Sequence, residues 1–217
     1  MSYRIALFDL DGTVLDTLQD LAAATNAVLE MHGLPRRTTE QVRAFVGNGI
    51  GKLIERAVPE GSSAELIAAV LADFKTYYGA HCADQTKPYD GIPEMLTALR
   101  AAGVKTAVVS NKADFAVREL AVRYFDGMFD YALGERADIT RKPAPDMVYH
   151  VLNALGESAE GAVYIGDSDV DILTAANAGL PAIGVTWGFR DRACLLGAGA
   201  TVLVDTPAQL QALLLGE

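Results

Sequence analysis

The stretch ALFDLDGT, residues 6–13, decides the fold, because a short apolar run leads directly into two carboxylates, Asp9 and Asp11. A second stretch, VYIGDSDVD at residues 163–171, has the same form. Short apolar runs of this kind are typical of buried parallel strands. The carboxyl ends of neighbouring parallel strands share one edge of a sheet, and open α/β sheets bind their ligands at that edge. The sequence therefore predicts that the two acidic clusters meet there.

The acidic clusters also predict a metal site. Its four candidate ligands are Asp9, Asp11, Asp167 and Asp171. Gathered without a counterion, these carboxylates would repel one another, whereas Mg²⁺ prefers a few carboxylate oxygens together with waters and a substrate phosphate. We therefore expect bound Mg²⁺ and phosphoryl chemistry. Two structural alternatives stay open: Asp11 forms a tight turn with Gly12, and Asp171 caps a helix with Ser168.

The composition agrees with an enzyme that has a full hydrophobic core. The chain has 217 residues, 51% of them hydrophobic, and a formal net charge of −10. This charge argues against nucleic acid or an anionic membrane surface as the partner. No apolar run reaches the roughly 18 residues that a membrane-spanning helix requires. Because the first predicted strand begins near Tyr3, and because Cys82 and Cys194 form no metal-binding spacing, we expect a reduced, cytoplasmic protein.

The order of the predicted elements indicates the fold class. Short β-rich runs alternate with helical segments, which is typical of βαβ units. The predicted strands are Ile5 to Phe8, Lys105 to Val109, Phe129 to Leu133, Ala162 to Ile165 and Ala182 to Thr186. We therefore predict an α/β protein whose core is a Rossmann-like, doubly wound parallel sheet.

One long segment departs from this alternation. Residues 17–86 contain no convincing strand and instead predict four helices, Leu18 to His32, Glu40 to Phe45, Ile50 to Ala57 and Ser63 to Ala83. Ser62 and Glu65 match a capping box at the start of the last of these helices. We predict an α-helical cap domain at residues 16–87, inserted into a catalytic core made of residues 1–15 and 88–217.

Further polar residues are predicted to lie at the same edge of the sheet. Ser110 and Asn111 follow the apolar run KTAVV and could donate hydrogen bonds to a phosphate oxygen, although Ser110 could equally cap the next helix. Lys142 stands near a predicted helix start, where anions bind favourably, yet taken alone it would be an ordinary solvated charge. Thr13 is either a turn residue or a hydroxyl near the metal or phosphate.

These segments, in this order, resemble the motifs of the haloacid dehalogenase superfamily. FDLDGT resembles its first motif, Ser110-Asn111 its second, Lys142-Pro143 its third and GDSDVD its fourth. The resemblance covers almost the whole chain. An aspartate at position 11 indicates the phosphatase branch, whose members carry a helical cap inserted after the first motif. The segments FVGNGI and TWGF are similar to those of the phosphoglycolate phosphatases within that branch.

The resemblance implies that a small phosphomonoester is hydrolysed in two steps. Asp9 would attack phosphorus to form an aspartyl phosphate, and Asp11 would protonate the leaving oxygen and then activate a water. Mg²⁺ would be bound by Asp9, Asp167 and the backbone carbonyl of Asp11, with Asp171 orienting a ligand of the ion. The transferred phosphoryl oxygens would be bound by Ser110, Asn111 and Lys142.

The substrate that the resemblance implies is 2-phosphoglycolate, which would yield glycolate and phosphate. Substrate contacts from the cap are predicted for Arg43, Gly47, Asn48, Gly49 and Lys52. A small carboxylate would suit a glycine loop beside cationic side chains, although the same charges could be simple exposed helical residues. The alternatives are a family phosphatase with another small substrate, such as a sugar phosphate or pyrophosphate, a phosphomutase, and a non-catalytic binding protein on the same fold.

Overall fold

The computed structural model of the chain describes residues 3–217, which form two compact units. The first, which we call the α/β unit, extends to Leu15 and resumes with Pro88–Glu217. The second, which we call the helical unit, consists of Asp16–Lys87. Among residues 3–217, no helix combines the length and the apolar character needed to cross a membrane.

A parallel sheet forms the centre of the α/β unit. In chain order, the strands of the described residues are β1 (Ile5–Phe8), β2 (Leu15–Asp16), β3 (Lys87–Pro88), β4 (Lys105–Ala113), β5 (Tyr131–Glu135), β6 (Ala162–Gly166), β7 (Ala182–Val185) and β8 (Leu203–Val204). Six of them pair side by side in the order β5-β4-β1-β6-β7-β8, and every neighbouring pair is parallel. The strands β2 and β3 form a separate two-stranded sheet.

Helices occupy the segments between the strands. They are α1 (Leu18–Met31), α2 (Thr39–Phe45), α3 (Gly49–Ala57), α4 (Ala64–His81), α5 (Ile92–Ala101), α6 (Asp114–Phe125), α7 (Asp146–Ala154), α8 (Asp169–Ala178), α9 (Arg192–Gly197) and α10 (Pro207–Leu215). The first four belong to the helical unit and the others to the α/β unit.

Both faces of the sheet are covered, because successive side chains of a strand point to opposite faces. On one face, Leu7 of β1 lies in a buried apolar cluster with residues of α7 and α8, among them Val148. On the other face, the ring of Phe8 contacts Phe129 with 6.1 Å between centroids, and Phe129 contacts Phe125 of α6 at 5.4 Å. The predicted class, a doubly wound α/β fold, is confirmed.

Four strands differ from their predicted bounds, β6 and β7 by one residue at their ends and β4 and β5 by more. Strand β4 does not end at Val109 but continues to Ala113, and its register against β5 shifts between these two residues. Residues 110–112 therefore bulge out of the ladder, a distortion that re-aims side chains and is common beside active sites. Strand β5 begins at Tyr131 rather than at Phe129, whose ring instead fills the aromatic cluster under α6.

The N-cap residue predicted for the longest helix of the helical unit is wrong by one position. Helix α4 begins at Ala64, and the hydroxyl of Ser63 accepts a hydrogen bond from the backbone N–H of Leu66 at 3.2 Å. The Ser62 hydroxyl instead donates to the carbonyl of Pro59 at 2.7 Å. Ser63 has the extended backbone that is typical of an N-cap residue and lies three residues before the N–H from which its hydroxyl accepts.

Candidate active site

Three of the predicted carboxylates converge at the carboxyl edge of the sheet. Asp9 directly follows β1 and Asp167 directly follows β6, and these two strands are paired in register. Asp171 lies in the first turn of α8, which starts at the same edge. One oxygen of each carboxylate lies within 4.8 Å of an oxygen of the other two, and all three side chains are buried.

Three glycines leave the space that these carboxylates occupy. A Cβ atom at Gly12 or Gly188 would overlap the side chain of Asp167, and a Cβ atom at Gly166 would overlap that of Asp171. Gly12 also has a φ of +87°, which residues with a side chain rarely adopt. A glycine is therefore required at these three positions, because the carboxylates of Asp167 and Asp171 approach the backbone closely.

Both oxygens of Asp167 are held by hydrogen bonds. The hydroxyl of Thr13 donates to Oδ1 at 2.9 Å, and the backbone N–H of Phe189 donates to Oδ2 at 2.7 Å. Thr13 is fully buried, and its own carbonyl accepts from Nε1 of Trp187 at 3.0 Å. Thr13 is thus more than a turn residue, because its hydroxyl fixes the orientation of a candidate metal ligand.

Lys142 is a buried ion-pair partner, so the interpretation as a solvated surface charge is wrong. Its side chain is 2% exposed, and Nζ lies 2.9 Å from Oδ1 of Asp9 and 2.8 Å from Oδ1 of Asp171. Nζ also donates to the hydroxyl of Tyr164 at 3.0 Å, and that hydroxyl donates to the carbonyl of Val109 at 2.8 Å. We did not predict Tyr164, although a tyrosine within an apolar strand must find a partner for its hydroxyl.

The bulge in β4 connects the second predicted motif to Lys142. Asn111 holds the Lys142 backbone at two points, since Oδ1 accepts from its N–H at 2.9 Å and Nδ2 donates to its carbonyl at 3.0 Å. Ser110 does not cap the following helix, whose N-cap is Ala113; its hydroxyl accepts from the N–H of Lys112 at 3.3 Å. Asn111 therefore positions Lys142 through the backbone.

Asp171 has the two roles that its position suggests. Its Oδ2 accepts from both the N–H and the hydroxyl of Ser168, at 3.1 and 2.6 Å, which closes a capping box at the start of α8. Its Oδ1 pairs with Lys142. Because Oδ1 pairs with an ammonium group and Oδ2 already accepts two hydrogen bonds, whereas each oxygen of Asp167 accepts one from a neutral donor, Asp171 fits the orienting role better than that of a direct metal ligand.

Asp11 does not join the cluster of three carboxylates. It follows the first strand in a tight loop, and its Oδ1 accepts a hydrogen bond from Nζ of Lys112 at 2.9 Å. The Lys112 side chain is 2% exposed and that of Asp11 is 13% exposed. Lys112 was missed at the sequence level, although it directly follows Ser110 and Asn111; a lysine after a polar pair gives no signal of burial.

The electrostatics of the cluster are unfavourable for its carboxylates. Burial raises the pKa of Asp9 to about 6, with Lys142 opposing the shift and Asp171 adding to it. Burial, followed by the charges of Asp171 and Asp9, holds the pKa of Asp167 well above its usual range. For Lys142, burial lowers the pKa, but Asp171 and Asp9 outweigh it and the net shift is well upward. Lys142 is therefore charged, but its single positive charge does not offset the burial and mutual repulsion of the surrounding carboxylates.

The residues at this edge fit a divalent cation. When all are ionised, the four carboxylates exceed the two ammonium groups, of Lys112 and Lys142, by two negative charges. Oδ1 of Asp9 is buried and, although it lies close to Lys142, it has no hydrogen-bond partner within residues 3–217. Hard divalent cations bind carboxylate oxygens, so an ion bound through Asp9 and Asp167 would satisfy both conditions.

In the absence of a divalent cation, an Asp9→Asn variant is expected to become more stable relative to wild type as the pH rises from about 4 to about 6. The folded state keeps the Asp9 proton up to about pH 6, whereas the unfolded state releases it near 3.8. The folded wild type therefore binds more protons in this window and loses stability as the pH rises, by about 2 to 3 kcal/mol. Asparagine mimics the protonated carboxyl and has no such loss.

This prediction is checked by urea unfolding of both proteins in EDTA at several pH values. Added Mg²⁺ should stabilise the wild type at neutral pH and have a smaller effect on the variant. A difference in unfolding free energy that is constant with pH would contradict the prediction.

The predicted substrate contacts Arg43, Gly47, Asn48, Gly49 and Lys52 lie in the helical unit, on α2, α3 and the loop that joins them. Nζ of Lys52 is paired with Oε2 of Glu55 at 2.6 Å. Arg56 braces the loop, because its guanidinium donates to Oδ1 of Asn48 at 2.9 Å and to the carbonyl of Phe45 at 2.8 Å. That these residues contact a substrate stays a prediction.

The doubly wound sheet and the buried carboxylates at its carboxyl edge define an α/β protein with a candidate cation site. The model of the haloacid dehalogenase-like hydrolase family matches residues 6–185. The chain belongs to this family.

Relatives within the family resemble the chain over most of its length. A phosphoglycolate phosphatase from Neisseria meningitidis is 35% identical over 201 residues, which cover 89% of this chain and 85% of the relative. A phosphoglycolate phosphatase from Aquifex aeolicus is 34% identical, with 86% of each chain covered. A crystal structure of a protein from Lactobacillus delbrueckii subsp. bulgaricus has a TM-score of 0.94 and 41% identity, and each chain is covered completely.

Proposed function

We propose that this phosphoric monoester hydrolase depends on Mg²⁺ and converts 2-phosphoglycolate to glycolate and phosphate through an aspartyl phosphate. The observation that carries the proposal is the convergence of Asp9, Asp167 and Asp171 within 4.8 Å of one another, with Lys142 in contact with Asp9. The relatives from Neisseria meningitidis and Aquifex aeolicus, which are phosphoglycolate phosphatases, support the choice of substrate.

Asp9 is the proposed nucleophile. One of its carboxylate oxygens donates an electron pair to phosphorus while the bond from phosphorus to the ester oxygen breaks, so that the phosphoryl group is transferred to Asp9. Asp9 suits this role because burial leaves its charge poorly stabilised before the reaction, an effect that Lys142 offsets only in part. Its place at the end of β1, on a rigid element, holds the attacking oxygen in position.

Asp11 is the proposed acid and base. In the first step its carboxyl group gives a proton to the leaving glycolate oxygen, and in the second it accepts a proton from the water that attacks the aspartyl phosphate. The water oxygen forms the new bond to phosphorus, the bond to Asp9 breaks, and phosphate leaves. Only Leu10 separates Asp11 from Asp9, and the loop that follows is held by backbone hydrogen bonds to the Leu10 carbonyl, so both carboxylates are proposed to act on one bound phosphoryl group.

Asp9 and Asp167 would hold the magnesium ion, and Thr13 and Phe189 would keep Asp167 oriented toward it. Bound Mg²⁺ would supply the positive charge that offsets the repulsion between a carboxylate and a phosphate dianion. Asp171 keeps Lys142 beside Asp9, where the ammonium group can stabilise negative charge on the transferred phosphoryl oxygens. Ser110 is proposed to donate to the same oxygens, and Asn111 to hold Lys142.

The helical unit is proposed to act as the cap that selects the leaving group. Its loop between α2 and α3 contains Gly47 and Asn48, and α3 begins at Gly49; both glycines have positive φ values, 115° and 81°. A backbone of this form can bring N–H groups close to a small carboxylate. Arg56 stabilises the loop from one side, which would preserve its shape during closure and product release.

A substrate panel tests the proposal. Phosphate release is measured with Mg²⁺ and with EDTA for 2-phosphoglycolate, a hexose phosphate, a pentose phosphate, pyrophosphate and a nucleoside monophosphate. We expect activity only with the cation and the highest kcat/KM for 2-phosphoglycolate. A higher kcat/KM for a sugar phosphate or for pyrophosphate would contradict the assignment of 2-phosphoglycolate as the substrate. Phosphate release that is unchanged by EDTA would contradict the dependence on Mg²⁺.

A further inference from the structure

Lys112 is a buried cation outside the cluster of three carboxylates, and the proposed mechanism gives it no role. Its side chain is 2% exposed, although lysine is almost never fully buried unless it is paired. Its Nζ donates to Oδ1 of Asp11 at 2.9 Å. Because this buried ammonium group contacts the carboxylate of the proposed acid, Lys112 is a candidate for a role in the proton transfer.

We propose that Lys112 is a positioning residue that holds the carboxyl group of Asp11 where it reaches the leaving oxygen; the inference rests on the proposed function, in which Asp11 is the acid.

The distortion of β4 is what directs Lys112 toward Asp11. The register of β4 against β5 passes from Val109↔Leu133 to Ala113↔Glu135, so β4 carries more residues than its partner across this stretch. The Lys112 N–H donates to the hydroxyl of Ser110, which keeps the bulge closed. A regular strand would place the side chain according to simple alternation, whereas the bulge sets its direction independently.

The loop that carries Asp11 fixes its backbone, and Lys112 acts on its side chain. Asp11 lies in a loop in which the N–H groups of Thr13, Val14 and Leu15 all donate to the carbonyl of Leu10, and this fixes the backbone. The side chain still has its own rotatable bonds, and hydrogen bonding of Oδ1 by Lys112 restricts them, so that the position of Oδ2 is set as well. Proton transfer is sensitive to such placement, since an error of 1 Å can cost about 10²-fold in rate.

The ion pair of Lys112 with Asp11 is more buried than that of Lys105, the other lysine of β4. Lys105, at the opposite end of β4, pairs with Glu157 at 2.7 Å, but its side chain is 42% exposed, so water and salt weaken that pair. Lys105 therefore provides a matched control on the same strand, remote from the acidic edge.

The test compares two substrates whose leaving groups differ in their need for a proton. The alkoxide leaving from 2-phosphoglycolate requires protonation, whereas the phenolate leaving from 4-nitrophenyl phosphate requires little. Because both substrates give the same aspartyl phosphate, whose hydrolysis also uses Asp11, the comparison is made on the rate of leaving-group release in a single turnover. In that step the Asp11→Asn variant should lose about 10²- to 10⁴-fold with the first substrate and far less with the second. The Lys112→Met variant should show the same selective pattern, with a loss of about 10²-fold for 2-phosphoglycolate. Lys105→Met should retain wild-type kcat with both.

The double variant Asp11→Asn, Lys112→Met identifies how Lys112 acts. If Lys112 acts through the carboxyl group of Asp11, then substituting Lys112 in a protein that already lacks this carboxyl group should have no further effect. The double variant should therefore match Asp11→Asn alone. Losses that multiply, a loss that is equal for both substrates, or a rise in KM at unchanged kcat would each overturn the inference, because they indicate a direct contact with substrate or a general structural role.

Two observations separate this inference from the proposed function. If Lys112→Met fails to fold, Lys112→Gln, which keeps a donor without the charge, takes its place in the same comparison. Wild-type protein without Mg²⁺-dependent phosphate release would refute the proposed function and the inference together. A selective loss for Asp11→Asn that Lys112→Met and Lys112→Gln do not share would refute the inference alone.

Discussion

An Asp9→Asn variant is expected to lose Mg²⁺-dependent phosphate release by about 10⁴-fold or more while it stays folded. The amide has nearly the shape of the carboxylate but is a poor nucleophile, and loss of a nucleophile removes most of the catalytic effect of the residues that act with it. Folding should survive because the carboxylate is not favoured by its surroundings: burial raises its pKa to about 6.

Three measurements together test this expectation. Steady-state phosphate release gives the loss of rate, thermal unfolding confirms the fold, and mass spectrometry of acid-quenched protein detects the aspartyl phosphate in the wild type and not in the variant. The control is Asp130→Asn, in which an aspartate that accepts from the N–H of Thr106 in the same sheet is changed. Turnover by Asp9→Asn at a rate near that of the control would contradict the role of Asp9.

Substituting Lys142 by methionine is expected to lower both activity and stability by a large amount. Lys142 is the ammonium group in contact with Asp9 and Asp171, so its loss leaves buried carboxylates without compensation, which typically costs about 3 to 5 kcal/mol. It also removes a preorganised cation beside the transferred phosphoryl group, worth about 10²- to 10³-fold in kcat.

The electrostatic origin of the Lys142 effect can be tested through pH. Lys142 opposes the upward shift of the Asp9 pKa, so its loss should move that pKa above 6. In EDTA, the unfolding free energy of Lys142→Met should therefore fall further than that of the wild type as the pH rises above about 6. The neighbouring Arg141→Gln, which breaks a half-exposed pair with Glu135, should retain both activity and stability. Equal behaviour of the two variants would show that Lys142 is not specifically coupled to the site.

The overall architecture could be predicted because it depends on local patterns. Apolar runs of four or five residues that lead into aspartates predicted β1 and β6 and their parallel pairing. The switch from strand-like to helical periodicity after Asp16 predicted four helices, which the structure places within Asp16–Lys87. Such patterns report burial directly, since a strand in the centre of a parallel sheet is apolar on both faces.

The charges of the site were predicted less completely. Lysine in a sequence indicates a solvated side chain, so Lys142 was ambiguous and Lys112 was passed over, yet both are buried against carboxylates. The hydroxyl of Tyr164 was likewise hidden within an apolar strand. Whether a polar group is buried with a partner depends on residues that are remote along the chain, and a linear pattern does not contain that information.

The chain's own sequence thus determined which strands carry the acidic residues, their order and the chemistry that carboxylates near a cation can support. Only the tertiary structure decided which charges face each other: Asp9 and Asp171 share Lys142, while Asp11 is paired apart with Lys112. The physical reason is that strand formation follows from nearest-neighbour patterns, whereas ion pairing inside a protein depends on register, on the bulge in β4 and on the exclusion of water.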